Sequence, residues 1–189
     1  YQTCEYEHFY YTYDEKYYID TLLQNDFLLI GFHATSSYDD INSFLQETSL
    51  FISDSLSTIY NSDYIQIIKR FIKPQTCFEI NDIIEDLEVN EIVSFAAHCY
   101  KGEFCFGFDC TELMSYSNEF VVSLNDSYDI KGLQGLCENT NTWISKHSEY
   151  YFVIRVDKNS QGNALEMANY FYESGLFHYS HPNFHYFNI

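Results

Sequence analysis

The chain has 189 residues, of which 46% are hydrophobic and 20% aromatic, enough for one ordinary domain or two small ones. Nine basic residues stand against 28 acidic ones, which gives a formal net charge of −19. That surplus argues against a nucleic-acid partner and an anionic membrane surface, whereas a cationic or neutral protein partner is compatible with it. The sequence contains no run of 18 apolar residues, so no membrane-spanning helix is predicted. Solubility alone also explains the charge.

The first 112 residues predict strands and helices in alternation. Five segments have the aromatic and β-branched residues of strands, and they cover residues 8–13, 16–20, 26–33, 64–72 and 92–100. Asp14 and Glu15 predict a hairpin turn between the first two segments. Two helices are expected, one capped by Ser37 and a short one capped by Asn81. Lys101 and Gly102 predict a turn, after which residues 103–109 return as a strand.

The last third repeats this order of elements. Strands are predicted at 118–124 and 176–179, with one or two more within 142–156, and helices at 129–138 and 164–174. Asn163 caps the second of these helices, and Glu166 stands in the reciprocal capping position. Gly175 follows where a left-handed glycine ends a helix. Pro182 is expected to limit the closing strand.

Both parts of the chain therefore run strand, helix, strand, helix, strand. The order βαββαβ in about 70 residues is the split βαβ, or ferredoxin-like, arrangement, and both parts are interpreted as this arrangement. We predict an α+β protein with antiparallel sheets and two such units, at residues 1–112 and 113–189. The first unit would carry the aromatic hairpin as an N-terminal extension.

The C-terminal part resembles the N-terminal prodomain of secreted subtilisin-like serine proteases from Bacteroidetes bacteria, of the inhibitor and fervidolysin-like propeptide type. The resemblance is carried by NEFVVSL at 118, YYFVIRV at 150 and NALEMANYFYESGLFHYSHPNF at 163. It covers residues 113–189 well and residues 1–112 loosely. His181 departs from the acidic residue that usually precedes the proline in that family. The chain also lacks the Asp, His and Ser blocks of the protease itself.

The resemblance implies a non-catalytic protein that inhibits or chaperones a subtilisin-like protease, in cis or in trans, without a cofactor. Its sheet face would pack on the protease, and its tail would lie in the substrate cleft as an added strand. The implied partner-binding residues are His181, Pro182, Asn183, Phe184, His185, Tyr186, Phe187, Asn188 and Ile189. Deletion of 183–189 is expected to weaken inhibition and leave the fold intact. The implied location is secreted, periplasmic or at the cell surface, with a signal peptide removed before Tyr1.

A second hypothesis retains the predicted fold but assumes no link to a protease. The chain would then be a secreted or periplasmic interaction module whose surplus aromatic residues line a partner surface. It predicts that no subtilisin-like protease is inhibited and that the tail deletion has no effect on binding.

Three histidines, His178, His181 and His185, lie within eight residues and raise two further hypotheses. Metal binding is disfavoured because positions 178 and 181 face opposite sides of a strand. A pH-sensitive tail is favoured, since clustered imidazoles would become charged below about pH 6.5. No metal site is predicted.

The six cysteines, at 4, 77, 99, 105, 110 and 137, lack the paired spacing of a zinc site. A disulfide among residues 99, 105 and 110 is one hypothesis, and free buried thiols are the other. Cys99 follows His98, but neighbours on a strand face opposite ways and do not form a catalytic dyad. No nucleophile motif or phosphate loop occurs, so the sequence predicts no enzyme.

Overall fold

A computed structural model describes Cys4 and residues 7–12, 14–60, 64–102, 112–126 and 129–188. The described residues form strands β1 (Phe9–Thr12), β2 (Glu15–Tyr18), β3 (Leu23–His33), helix α1 (Tyr38–Glu47), β4 (Phe51–Tyr60), β5 (Tyr64–Phe71), α2 (Cys77–Glu88), β6 (Val93–Lys101), β7 (Glu112–Leu124), α3 (Ile130–Thr140), β8 (Trp143–His147), β9 (Phe152–Arg155), α4 (Ala164–Glu173) and β10 (Phe177–Asn188). The predicted α+β class with antiparallel sheets is confirmed. Within the described residues, no helix combines the length and hydropathy that a membrane crossing requires.

The chain divides into two compact units. Unit 1 comprises Tyr1–Glu7, Asp20–Ser115 and His185–Ile189, and unit 2 comprises His8–Ile19 and Tyr116–Phe184. This division differs from the predicted units, which meet at a single boundary between residues 112 and 113. The aromatic hairpin belongs to unit 2 and the C-terminal residues belong to unit 1.

Unit 1 has the strand order β4-β5-β3-β6, and all neighbouring strands are antiparallel. Alternate residues of the strands and the apolar stripes of α1 and α2 form its core, because strand side chains alternate between faces while helical ones recur every three to four residues. The core contains Leu28, Ile30, Phe32, Ile41, Leu45, Phe51, Ile67, Phe71, Ile80, Leu87 and Val93.

Unit 2 has the strand order β7-β9-β8, and β10 also pairs with β7. Helix α4 packs against these strands through Phe171. Its ring meets that of Phe120 on β7 at 4.9 Å and stacks on that of Phe177 on β10 at 5.6 Å. Because these three rings face the core, the opposite faces of β10 and α4 point away from it.

Several predicted helix ends and turns are confirmed, and they depend on hydrogen bonds or backbone preferences of residues close together in the sequence. Ser37 accepts from the amide of Asp40 at the start of α1, and Asn163 and Glu166 form the reciprocal capping box of α4. Gly175 has φ of +76° after α4, the left-handed conformation that glycine adopts without a Cβ clash. The β1–β2 hairpin turns at Asp14, as predicted.

Some predicted element bounds are wrong, and one strand was missed. Helix α2 begins earlier, because Thr76 and Glu79 form its capping box and Asn81 lies inside it. Strand β4 was not predicted. The closing strand does not stop before Pro182 but runs to Asn188. Proline lacks an N–H, yet a strand at the edge of a sheet tolerates it where no ladder bond is required. The predicted strand 103–109 lies outside the described residues.

We expect Gly31→Ala to destabilise unit 1. A Cβ at Gly31 would lie 2.0 Å from Cε1 of Phe95, so the Phe95 side chain, which is 5% exposed, would have to shift. Overpacking of this kind costs about 1–3 kcal/mol. Gly135→Ala is the matched control, because its Cβ would meet nothing within 4 Å and alanine favours a helix interior by about 0.5–1 kcal/mol. Urea denaturation should therefore shift in opposite directions for the two variants, and equal shifts would contradict this expectation.

Candidate partner-binding site

The tail predicted to bind a partner is part of strand β10. Residues His181 to Asn188 lie within that strand, and Ile189 lies outside the described residues. Pro182 and Phe187 are buried and Tyr186 is exposed; Asn183, Phe184 and His185 are half-buried. The structure thus places most of the predicted contact residues in an ordered strand.

The end of the tail is anchored within unit 1. Nδ1 of His185 donates to Oε1 of Gln66 at 2.7 Å, and Gln66 is fully buried on β5. The ring of Phe187 is only 2% exposed. To enter a protease cleft, residues 185–188 would have to give up this bond and this burial.

Earlier residues of the tail take part in an aromatic cluster of unit 2. We define the aromatic cluster as Tyr10, Tyr17, Tyr179, His181 and Phe184. The Tyr10 ring is central: its centroid lies 5.3 Å from that of Tyr17, 4.5 Å from that of His181 and 5.2 Å from that of Phe184. His181 also stacks on Tyr179 at 5.8 Å. Offset and edge-to-face contacts of this kind are the favoured aromatic geometries.

The hairpin that carries Tyr10 and Tyr17 is fixed on α4. Nδ2 of Asn169 donates to the backbone carbonyl of Phe9 at 2.7 Å, and Asn169 is 9% exposed. A two-stranded hairpin is marginal alone in water, so this bond and the ring contacts hold it. Asp14 has φ of +66° at the turn, and Asp tolerates this left-handed conformation better than most residues.

The cluster combines fixed inner rings with exposed outer rings. Tyr17 is 40% and Tyr179 is 44% exposed, while His181 and Phe184 are half-buried. Burial lowers the pKa of His181 in spite of its bond from Nδ1 to the carbonyl of Pro182. Burial also raises the pKa of the Tyr179 phenol. Near neutral pH both groups are therefore uncharged, and the cluster presents neutral aromatic surface.

We expect His181 to reduce stability in mild acid. An unperturbed histidine has a pKa of about 6.5, and burial lowers that pKa in the folded protein. The unfolded chain then binds more protons than the folded one, so the free energy of unfolding is unaffected above about pH 6.5 and falls as the pH drops below it. Urea denaturation of His181→Phe at neutral and mildly acid pH should show a weaker pH dependence than wild type. His147→Phe, at an exposed position, is the control, and an equal change in both variants would contradict the role of His181.

The three clustered histidines point their Nδ1 atoms at three different acceptors. His178 bonds to the carbonyl of Leu124 at 3.1 Å, and His181 and His185 bond as described above. A carbonyl can only accept, so each Nδ1 carries the proton in these bonds. The bonds give the histidines structural roles on β10.

The described cysteines are either cross-linked or buried. Cys4 and Cys77 form a disulfide with Cα atoms 5.4 Å apart, while Cys99 and Cys137 are free and buried. Burial raises the pKa of both free thiols, which keeps them in the unreactive protonated form. Cys99 is therefore not part of the predicted bridge, and Cys105 and Cys110 lie outside the described residues.

Sequence reasoning found two members of the aromatic cluster, His181 and Phe184, and missed the other three. It assigned Tyr10 and Tyr17 to a hairpin but did not predict which elements that hairpin packs against. The available signal was the density of tyrosine on both sides of Asp14. Tyr179 was assigned to the closing strand, and only the tertiary fold places it beside His181.

Comparisons with known proteins give no relative. No protein-family model matches the sequence, and a search of curated proteins finds no match. The resemblance to subtilase prodomains therefore stays an expectation based on short motifs. Geometry, burial and charge are the grounds on which a function can be proposed.

Proposed function

We propose that this chain is a non-catalytic protein-binding module that contacts its partner through the aromatic cluster of unit 2. The observation that carries the proposal is the exposure of Tyr17 and Tyr179, 40% and 44%, on elements that packing and hydrogen bonds hold in place. Tyrosine supplies a large contact area with few rotatable bonds, and it is enriched among the residues that dominate binding energy. Such rings lose little conformational entropy when a partner covers them.

The disulfide supports a location outside the cytosol. Cys4 and Cys77 are bridged, and structural disulfides persist in secreted, periplasmic and surface proteins. A secreted, periplasmic or cell-surface module is therefore our proposal for its location. The net charge of −19 favours a neutral or cationic partner there.

Selection of random peptides tests the binding surface directly, because it requires no partner to be chosen in advance. A phage-displayed random peptide library is selected on the wild-type chain and then assayed on a Tyr17→Ala/Tyr179→Ala variant. We expect the variant to bind the selected peptides about tenfold more weakly or worse, as for residues that dominate an interface. The control is Tyr150→Ala/Tyr151→Ala, which removes two exposed tyrosines elsewhere in unit 2. The proposal fails if no peptide is enriched, or if both variants bind the selected peptides equally.

A second candidate function is that of a propeptide-like inhibitor or chaperone of a subtilisin-like serine protease. We propose for it that both units are ferredoxin-like. Support comes from the strand orders β6-β3-β5-β4 in unit 1 and β10-β7-β9-β8 in unit 2. Apart from the hairpin strands β1 and β2, the four strands of each unit, numbered in chain order, then stand as 4-1-3-2, and helices follow the first and third of them. This is the arrangement that the resemblance implies.

In this second candidate the sheet face of unit 2 is a better contact than the tail. On that face the strand register places Arg155 of β9 between Trp143 of β8 and Glu119 of β7. Nη2 of Arg155 forms an ion pair with Oε1 of Glu119 at 2.5 Å. The Arg155 and Glu119 side chains are only 15% and 7% exposed, so Trp143, which is 40% exposed, is the accessible residue of this row. The buried parts of the tail, by contrast, would first have to leave β10.

A titration against a panel of subtilisin-like proteases tests this second candidate. The hydrolysis of a peptide substrate is followed while the purified chain is added. Tight, slow-binding inhibition that Trp143→Ala weakens and Tyr150→Ala does not would support the sheet-face contact. Degradation of the chain as an ordinary substrate, without inhibition, would contradict the protease-inhibitor candidate and leave the binding-module proposal standing.

A further inference from the structure

The hairpin carries a second row of aromatic rings on its other face. Paired residues of antiparallel strands share a face, and the register pairs Phe9 with Tyr18 and Tyr11 with Lys16. We define the ring row as Tyr18, Phe9, Tyr11 and Tyr172. Neighbouring centroids in it are 5.7, 5.7 and 4.3 Å apart, and the Tyr172 ring of α4 stacks on that of Tyr11. The aromatic cluster around Tyr10 lies on the opposite face, because strand side chains alternate.

The ring row already holds an ammonium group. Nζ of Lys16 lies 4.0 Å from the centroid of the Phe9 ring and 6.0 Å from that of Tyr11. A cation above an aromatic face is attracted by the negative charge of the ring quadrupole. Lys16 is exposed and has a long, flexible stem, so it can leave these rings at little cost.

Two carboxylates stand at the Tyr172 end of the row. The Tyr11 hydroxyl donates to Oε1 of Glu173 at 2.7 Å, and the Tyr172 hydroxyl donates to Oδ1 of Asp14. Both acids are exposed, and a carboxylate that accepts one such bond keeps capacity to accept more. Burial and the acid neighbour raise the pKa of Tyr11 to about 12, which keeps its phenol a neutral donor to Glu173.

We propose that the ring row and its two carboxylates form a binding site for the guanidinium groups of a basic polypeptide, and that Lys16 occupies this site when the polypeptide is absent. Arginine fits best because its planar, weakly hydrated head stacks on rings and donates to carboxylates in a fork. The excess of 28 acidic over nine basic residues steers such a partner toward the chain. This site is separate from the aromatic cluster and does not require it.

The proposal predicts opposite effects for two single changes. Phe9→Leu keeps an apolar side chain and the backbone bond to Asn169, but removes the ring. It should weaken binding of a blocked hexa-arginine peptide about two- to fivefold, the usual strength of an exposed cation–π contact. Lys16→Met removes the competing ammonium group from the rings and should tighten binding of the same peptide by a similar factor.

Isothermal titration at physiological ionic strength measures both effects. Lys131→Met is the control for Lys16→Met, because it removes one positive charge from an exposed position of unit 2. Tyr150→Leu is the control for the loss of a ring, since Tyr150 is 76% exposed and lies outside the row. The proposal requires that neither control reproduces the effect of its partner variant.

Two results would overturn the site. If Phe9→Leu binds hexa-arginine as wild type does, the rings do not hold the guanidinium. If Lys16→Met and Lys131→Met tighten binding equally, net charge alone attracts the peptide. Because Lys16 is exposed, its replacement leaves the fold intact and keeps the second comparison valid. Peptides selected through Tyr17 and Tyr179 would still bind in either case, so failure of this site is distinct from failure of the proposed function.

Discussion

Phe187→Ala is expected to lower the free energy of unfolding by about 3–5 kcal/mol, the usual cost of removing a buried phenylalanine ring. The ring is 2% exposed, so its loss leaves a cavity in unit 1. Urea denaturation followed by far-UV circular dichroism measures the change. Tyr150→Ala removes a ring that is 76% exposed and should change stability by less than about 0.5 kcal/mol. A Phe187→Ala variant as stable as this control would show that the tail is not docked.

The docking of the tail in unit 1 also alters the expected effect of its deletion. Removal of 183–189 takes away the second half of β10 together with the bond from His185 to Gln66. We therefore expect that deletion to destabilise the protein and not merely to weaken binding. Any loss of protease inhibition in the deletion variant would then reflect lost structure as well as lost contacts. For this reason Trp143→Ala is the sharper probe of a protease contact.

Breaking the disulfide between Cys4 and Cys77 is expected to lower the free energy of unfolding by about 4 kcal/mol. The bridge closes a loop with a sequence separation of 73 residues, and the chain-entropy model assigns stabilisation of this order to a loop of that length. Cys4→Ala should be as unstable as the reduced wild-type protein.

Denaturation with and without a reducing agent checks this prediction. The wild-type protein should lose stability on reduction, whereas Cys4→Ala should not respond. A wild-type protein that is equally stable in both conditions would contradict a stabilising bridge. A Cys4→Ala variant that loses as much stability on reduction as the wild type would assign the effect to other cysteines.

The sequence by itself determined the elements whose signals are local. The caps at Ser37 and Asn163 and the left-handed Gly175 are set by hydrogen bonds and backbone preferences within a few residues. The alternation of strands and helices likewise follows from hydrophobic periodicity. Thr76 and Glu79 form an equally local signal for the start of α2, which the prediction of Asn81 as the cap overlooked.

Only the tertiary structure decided the path of β10 and the composition of the candidate site. Pro182 predicts a strand end when read locally, yet pairing with β7 and burial of Phe187 carry the strand past it. The aromatic cluster joins Tyr10 near the start of the chain to His181 near its end. Contacts between distant residues depend on strand order and register, which a local pattern does not contain. The sequence therefore showed that this chain is rich in aromatic surface, and the fold decided which rings are fixed and which remain exposed to a partner.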